Sequence, residues 1–192
     1  MDTYAIILAA GASSRLGQPK QLLHWRGQTL LAHAINQAQN VFKHNIIVVL
    51  GANPTAISAA IDLSTVVTVT NPDWQTGMAS SIRAGIRALP DTATAAMLML
   101  CDQALITAAH YQSLLNCWQQ TPNHIAASGY QQSVGVPAVF PAHYFPQLLA
   151  LTGDQGAKRL LQHPAHSVTV LPLPEAELDV DKPDDVTRLL ML

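Results

Sequence analysis

Short apolar runs recur along the chain: YAIILAA (4 to 10), NIIVVLG (45 to 51), TVVTVTN (65 to 71), AAMLMLCD (95 to 102), HIAASGY (124 to 130), GVPAVFP (135 to 141) and SVTVLPL (167 to 173). Most are rich in β-branched residues and bounded by turn formers, the pattern of buried strands. Segments of helical spacing lie between most of them. In TLLAHAINQAQNVF, residues Leu30, Leu31, Ala34, Ile35, Ala38 and Phe42 recur every three or four positions and form one apolar face. Similar faces appear in TAAHYQSLLNCWQQ (107 to 120), GAKRLLQH (156 to 163) and the C-terminal DDVTRLLML. Apolar strands alternating with amphipathic helices predict an α/β fold: a doubly wound, mostly parallel sheet covered on both faces. Ligands of such sheets bind beyond the carboxyl ends of the strands, so the loops there hold the candidate chemistry.

Length and composition narrow the picture. A chain of 192 residues suits one core and a single domain over 1–192. The loose stretch PLPEAELDVDKPDD (172 to 185) is too short to separate two domains. Apolar residues make up 49% and charged residues 11%, with a net charge of -2, which argues against disorder and against a broad nucleic-acid-binding surface. A bound phosphate must therefore be met by a few placed cations and backbone groups. Cys101 and Cys117 are too few for a disulfide scaffold and fit a reducing interior. Asp2 in place of a basic leader, and an apolar run broken at Gly11, argue against a secretory signal. No run reaches membrane-spanning length, so a soluble, cytoplasmic protein is expected. Of the eight histidines, His163 and His166 lie closest together; Pro164 between them and the lack of further ligands favour incidental placement over a metal site.

Three loops at strand ends carry polar chemistry. After the first strand, LAAGASSRLGQPK places Gly11 among small residues, followed by Arg15 and Lys20. Glycine frees the backbone, Ala9, Ala10 and Ala12 permit close approach, and successive N–H groups in such a loop form an anion-binding concavity. An ordinary turn with two solvated cations satisfies the same spacing. The loop is neither GxGxxG nor GxxxxGK[ST], so a dinucleotide site and a Walker site both lose their main support. The fourth strand ends at LCDQ, where Asp102 must be solvated, paired with a cation or used as a helix cap. In DVDKPDD, Asp179 and Asp181 share one face if extended, and a second carboxylate meeting Asp102 would favour Mg²⁺; Asp184 and Asp185 suit the start of the last helix. Between them, NPDWQTGMASSIRAG offers Gly77, Ser80 and Ser81 to a flat polar ligand, with Trp74 as a packing residue.

Taken together, these blocks resemble a family. LAAGASSRLGQPK is similar to the LAAGxSxRxGxxK signature of nucleotidyltransferases that activate sugars, isoprenoid precursors and the molybdenum cofactor. GMASSIRAG, LCDQ, GVPAVF, GDQGAK and DVDKPDD follow in order along almost the whole chain. The chain looks like the molybdenum cofactor cytidylyltransferase group. The resemblance implies that Leu8, Ala9, Ala10 and Gly11 run along the nucleotide, Arg15 and Lys20 meet the triphosphate, and Gly77 and Ser81 lie near the base. It makes Asp102 the Mg²⁺ carboxylate with Asp181 as its partner, and puts Gly135, Pro137, Gly153 and Asp154 at the acceptor pocket. LAAG with CDQ resembles members that use CTP, whereas GTP-using relatives tend to show LAGG and CDTP. The implied partners are CTP or GTP, a pterin phosphate acceptor, and a molybdoenzyme or its maturation chaperone, with neither nucleic acid nor membrane. A different phosphorylated acceptor, or a noncatalytic carrier of the pterin cofactor, remains open; a nicotinamide-dependent oxidoreductase lacks its loop. Ala104 stands where the family usually has proline, which implies a less rigid loop around Asp102.

Overall fold

Strand β1 (Thr3–Ala9) shows how the local pattern becomes two layers of core. Its alternate side chains leave on opposite faces: Ala5, Ile7 and Ala9 join one apolar cluster, Ile6 and Leu8 the other. A computed structural model describes residues 2–192. After β1 come a 3-10 turn at Lys20–Leu22, the small hairpin β2 (His24–Trp25) and β3 (Gln28–Thr29), and helix α1 (Leu30–Phe42). Next are β4 (Ile46–Leu50), α2 (Pro54–Ala60), β5 (Val67–Thr70), α3 (Met78–Arg87), β6 (Ala95–Leu100) and α4 (Ala108–Gln120). The chain ends with β7 (Ile125–Tyr130), β8 (Ser133–Pro141), α5 (Phe145–Leu149), α6 (Lys158–Leu161), β9 (Val168–Pro172) and α7 (Pro183–Leu190).

Seven strands form one sheet in the order β5-β4-β1-β6-β8-β7-β9, so every apolar run of the sequence became a strand of it. All neighbours are parallel except β8, which runs antiparallel to β6 and β7. The reversal follows from a two-residue turn: Gln131 and Gln132 take left-handed φ of 46° and 59° between the paired Tyr130 and Ser133. Two left-handed residues in succession match the twist of a tight hairpin. Helices α1, α2 and α4 cover one face through residues such as Leu31, Ile57 and Leu114. On the other face α3, α5 and α6 contribute Ile82, Leu148 and Leu160. No helix among the described residues is long and apolar enough to cross a membrane.

Some elements differ from the periodicity reading. The β2–β3 hairpin escaped it because two-residue strands are too short to alternate; its signal was Arg26–Gly27, both at positive φ. The predicted helix over 156 to 163 is only Lys158–Leu161, because Gly156 holds a left-handed φ of 55° just before it. A third cluster joins Trp25, Leu30, Ala104, Leu178, Val180 and Leu189, and draws the segment before α7 onto the loop after β6. Ala104 is only 2% exposed there. Packing in this cluster, rather than a proline ring, is what holds Ala104 in place.

Candidate active site

At the start of the loop after β1, three successive carbonyls are engaged and the N–H groups that follow them are unpaired. Gln21, 1% exposed, donates from Nε2 to the carbonyls of Ala9 (2.7 Å) and Gly11 (2.9 Å), while the Ala10 carbonyl accepts from the Ala52 N–H at 2.9 Å. The N–H groups of Ala12, Ser13, Ser14 and Arg15 donate to no protein group among the described residues. Carbonyl dipoles turned aside and amides left facing outward make a positive concavity. The left-handed residues are Ser13 (φ 55°) and Gly17 (φ 75°), not Gly11. Gly11 lies in open space, with nothing within 4 Å of the position a Cβ would take. What its missing side chain provides is access to the main chain rather than an unusual φ.

Asp102 follows β6 and is 3% exposed. Its Oδ2 accepts from Lys20 Nζ, which also donates to Asp181 Oδ1 at 2.8 Å. Burial disfavours the charged form of Lys20, but the charge and hydrogen bond of Asp102, with the hydrogen bond of Asp181, outweigh it and raise the ammonium above the usual lysine range. Asp181 behaves conversely: burial raises it, whereas the Lys20 hydrogen bond and charge, with Arg15 and Lys182, hold it below the usual carboxylate range. Burial, and then repulsion from Asp102, pushes the nearby Asp179 carboxyl up to about 7. The Cys101 thiol is pushed up to about 12 by burial first, and so stays neutral beside Asp102. Three further bonds fix this corner: the Val180 N–H donates to the Asp102 carbonyl at 3.3 Å, and Gln103 Nε2 to the carbonyls of Val136 and Ala176 at 3.1 and 2.9 Å. Asp185 Oδ2 accepts from the N–H groups of Asp181 and Lys182, capping the start of α7.

The opposite wall is α3. Buried Asn71 donates from Nδ2 to Ser80 Oγ (2.7 Å) and Ser81 Oγ (3.0 Å). The Ser80 hydroxyl donates in turn to the Gly77 carbonyl, while that of Ser81 donates to no protein group among the described residues. Gly77 has a φ of 108°, and a Cβ there would collide with Asp154 and with the Gly153 carbonyl. Arg83 Nη1 donates to the Leu151 carbonyl and anchors the chain leading to Gly153. Trp74 packs against the sheet layer beneath.

A cleft of about 420 Å³ opens between these walls. Of the expected site residues, Leu8, Ala10, Gly11, Arg15, Lys20, Ser81, Asp102, Asp154 and Asp181 line it. Ala9, Gly77, Gly135, Pro137 and Gly153 do not. The Ala9 side chain lies in the cluster on the other face of the sheet, and its carbonyl is held by Gln21. Gly135 abuts the Tyr130 ring, and the Pro137 carbonyl accepts from Ser128 Oγ. Gly153 lies behind, its carbonyl accepting from the Ala79 N–H. Ser13, Ser14, Met78, Leu100 and Asp179 complete the lining. Sequence reasoning also missed Gln21 and Asn71, which lie among other polar residues in QPKQLL and VTNPDW and so carry no local signal of their burial.

The donors suit a hard divalent ion. Asp102 and Asp181 present carboxylate oxygens on either side of one cation, the Lys20 ammonium. No group of three or more potential protein ligands among the described residues forms a site on its own. Mg²⁺ normally takes one or two carboxylates and completes its shell with water and substrate phosphates, so this pair fits it.

Comparison with known proteins agrees with this geometry. Residues 5–169 match the model of the MobA-like NTP transferase domain. The chain is 32% identical to nicotine blue oxidoreductase of Paenarthrobacter nicotinovorans, over 96% of this chain and 95% of that protein. It is 29% identical to the molybdenum cofactor cytidylyltransferase of Escherichia coli, over 94% and 91% respectively. Among solved structures, Rv0371c of Mycobacterium tuberculosis superposes with a TM-score of 0.88 at 32% identity, covering 100% of this chain and 99% of that one. Its complex with manganese superposes at 0.82 with 31% identity, covering 100% and 99%. The chain belongs to the MobA-like NTP transferase domain family and has the Rossmann-like fold of its nucleotidyltransferase neighbours.

Proposed function

We propose that the protein transfers CMP from CTP to the terminal phosphate of molybdopterin, with or without bound molybdenum, and releases pyrophosphate. An acceptor phosphate oxygen forms the new bond to the α-phosphorus as the bond to the pyrophosphate oxygen breaks. The acceptor is already anionic at neutral pH, so no strong base is needed. The difficulty is to hold two polyanions in line, and positioning with charge stabilisation meets it. Arg15, Lys20 and the free N–H groups of the loop after β1 would bind and orient the triphosphate, and Ser81 would offer its hydroxyl to the nucleotide. Asp102 and Asp181 would hold Mg²⁺, which neutralises developing phosphate charge when bound. The observation that carries the reading is the meeting of Lys20 with Asp102 and Asp181 beside a loop of unpaired amides. CTP as the donor is supported by the resemblance of LAAG and CDQ to CTP-using members and by the cytidylyltransferase relative. A cytoplasmic setting, with delivery of the product to a molybdoenzyme, follows from the same reading.

The test is pyrophosphate release from each of CTP, GTP, UTP and ATP with a molybdopterin acceptor and Mg²⁺. CTP is expected to be the preferred donor, and Asp102→Ala to slow release by about a hundredfold or more. Undiminished turnover in Asp102→Ala, or release from no nucleotide, overturns the reading. The nicotine blue oxidoreductase relative supports a second one, electron transfer on the same scaffold. A change in nicotinamide absorbance with an oxidisable aromatic substrate, without pyrophosphate release, would favour it.

A further inference from the structure

Lys20 sits where a metal is expected to sit. We infer that Lys20 is a resident counterion: in the nucleotide-free protein its ammonium fills the place between Asp102 and Asp181, so a divalent ion enters only with a triphosphate that draws Lys20 away. The inference rests on the metal-assisted reading above and adds an order of binding to it.

Three observations carry it. The Lys20 ammonium bonds both carboxylates at once, Asp102 through Oδ2 and Asp181 through Oδ1. The Asp102 side chain is 4% exposed, so its charge needs a cation at all times; removing one partner of a buried pair leaves an uncompensated charge. The Lys20 N–H also donates to Ser13 Oγ at 3.1 Å, which tethers the residue to the loop of free amides. From that anchor a four-carbon stem can carry the ammonium either to the carboxylates or to an anion held by the loop.

Mg²⁺ must bring its oxygen ligands to about 2.1 Å and gives up water reluctantly. It cannot do so on Asp102 and Asp181 while an ammonium shares both. A triphosphate supplies Lys20 with another partner, frees the carboxylates, and adds phosphate oxygens to the ion's shell. By linkage, nucleotide and metal then raise each other's affinity by the same factor, commonly about 5- to 150-fold.

The probe is Mn²⁺, followed by loss of the free-ion EPR signal, with nucleotide-free protein throughout. Lys20→Met is expected to bind Mn²⁺ at least about tenfold more tightly than wild type, Lys20→Arg as weakly as wild type, and Lys20→Met with Asp102→Asn to lose the gain. No gain in Lys20→Met, or a gain surviving Asp102→Asn, overturns the inference. A measurement on wild type guards against a misfolded variant: the ¹⁵N signal of the Lys20 ammonium should stay put with Mg²⁺ alone and move when tripolyphosphate is added. Movement with Mg²⁺ alone over the same range refutes the counterion role. Neither readout uses a nucleobase or a pterin, so an error in the proposed donor or acceptor leaves both intact and appears only as missing pyrophosphate release.

Discussion

Replacing Gln21 by methionine asks whether one buried side chain sets the polarity of the phosphate-facing loop. Methionine has a similar length and adapts to irregular space, so no large cavity is expected. What disappears is the pair of donations from Nε2 to the carbonyls of Ala9 and Gly11. The Ala9 bond is buried, and leaving its carbonyl unpaired costs about 1–3 kcal/mol. The Gly11 bond is only part-buried, so water replaces it at a cost of about 0.5–1.5 kcal/mol. Against these stands Oε1 of Gln21, itself buried without a partner, whose removal returns about 1 kcal/mol. The net expectation is a loss of about 1–3 kcal/mol, measured as a fall in the urea midpoint at unchanged slope. The functional effect follows from direction rather than stability. Carbonyls released from Gln21 are free to turn toward the cleft and oppose an anion. Affinity for inorganic tripolyphosphate, read by calorimetry on the folded variant, should fall at least about tenfold, equivalent to about 1.4 kcal/mol. A variant that binds tripolyphosphate as tightly as wild type would refute the clamp, whatever its stability.

Three other substitutions probe different parts of the site. Because burial and Asp102 raise Asp179 to about 7, the fold holds a proton that the unfolded chain, with its ordinary value of 3.8, releases. The contribution of this carboxyl to stability should therefore fall as pH rises between those values and level off above the upper one. Asp179→Asn should match wild type near pH 4 and exceed it near pH 8 in metal-free thermal unfolding; equal pH slopes would contradict this. Gly77→Ala should lose roughly 2 kcal/mol or more, since its φ of 108° is strained for any side chain and its Cβ would lie 2.6 Å from the Gly153 carbonyl carbon and oxygen. An unchanged melting temperature would deny that close approach. Arg15→Ala, at an exposed position lining the cleft, should leave stability within about 0.5 kcal/mol while slowing pyrophosphate release by about a hundredfold. Unchanged turnover would remove Arg15 from the site.

By itself the sequence determined what local periodicity can encode. Seven apolar runs became the strands of one sheet, the central ones buried on both faces and β5 and β9 at its exposed edges, and helical spacing in residues 30 to 42 and 108 to 120 became α1 and α4. The small residues after β1 and the aspartate after β6 marked the two loops that face the cleft, because strand ends are where this architecture gathers its ligand loops. Pairing across the chain was decided only by the tertiary structure. Lys20 meets Asp102 across 82 residues and Asp181 across 161, and no pattern within a window of residues specifies such contacts. They arise because β1 and β6 are neighbours in the sheet, and because Ala104, Leu178 and Val180 share a cluster that draws the DVD segment over. The same holds for Gln21 and Asn71, polar residues whose use shows only once the fold aims them at particular carbonyls and hydroxyls. Sequence spacing brought chemistry to one edge of the sheet; strand order and burial determined which charges touch there.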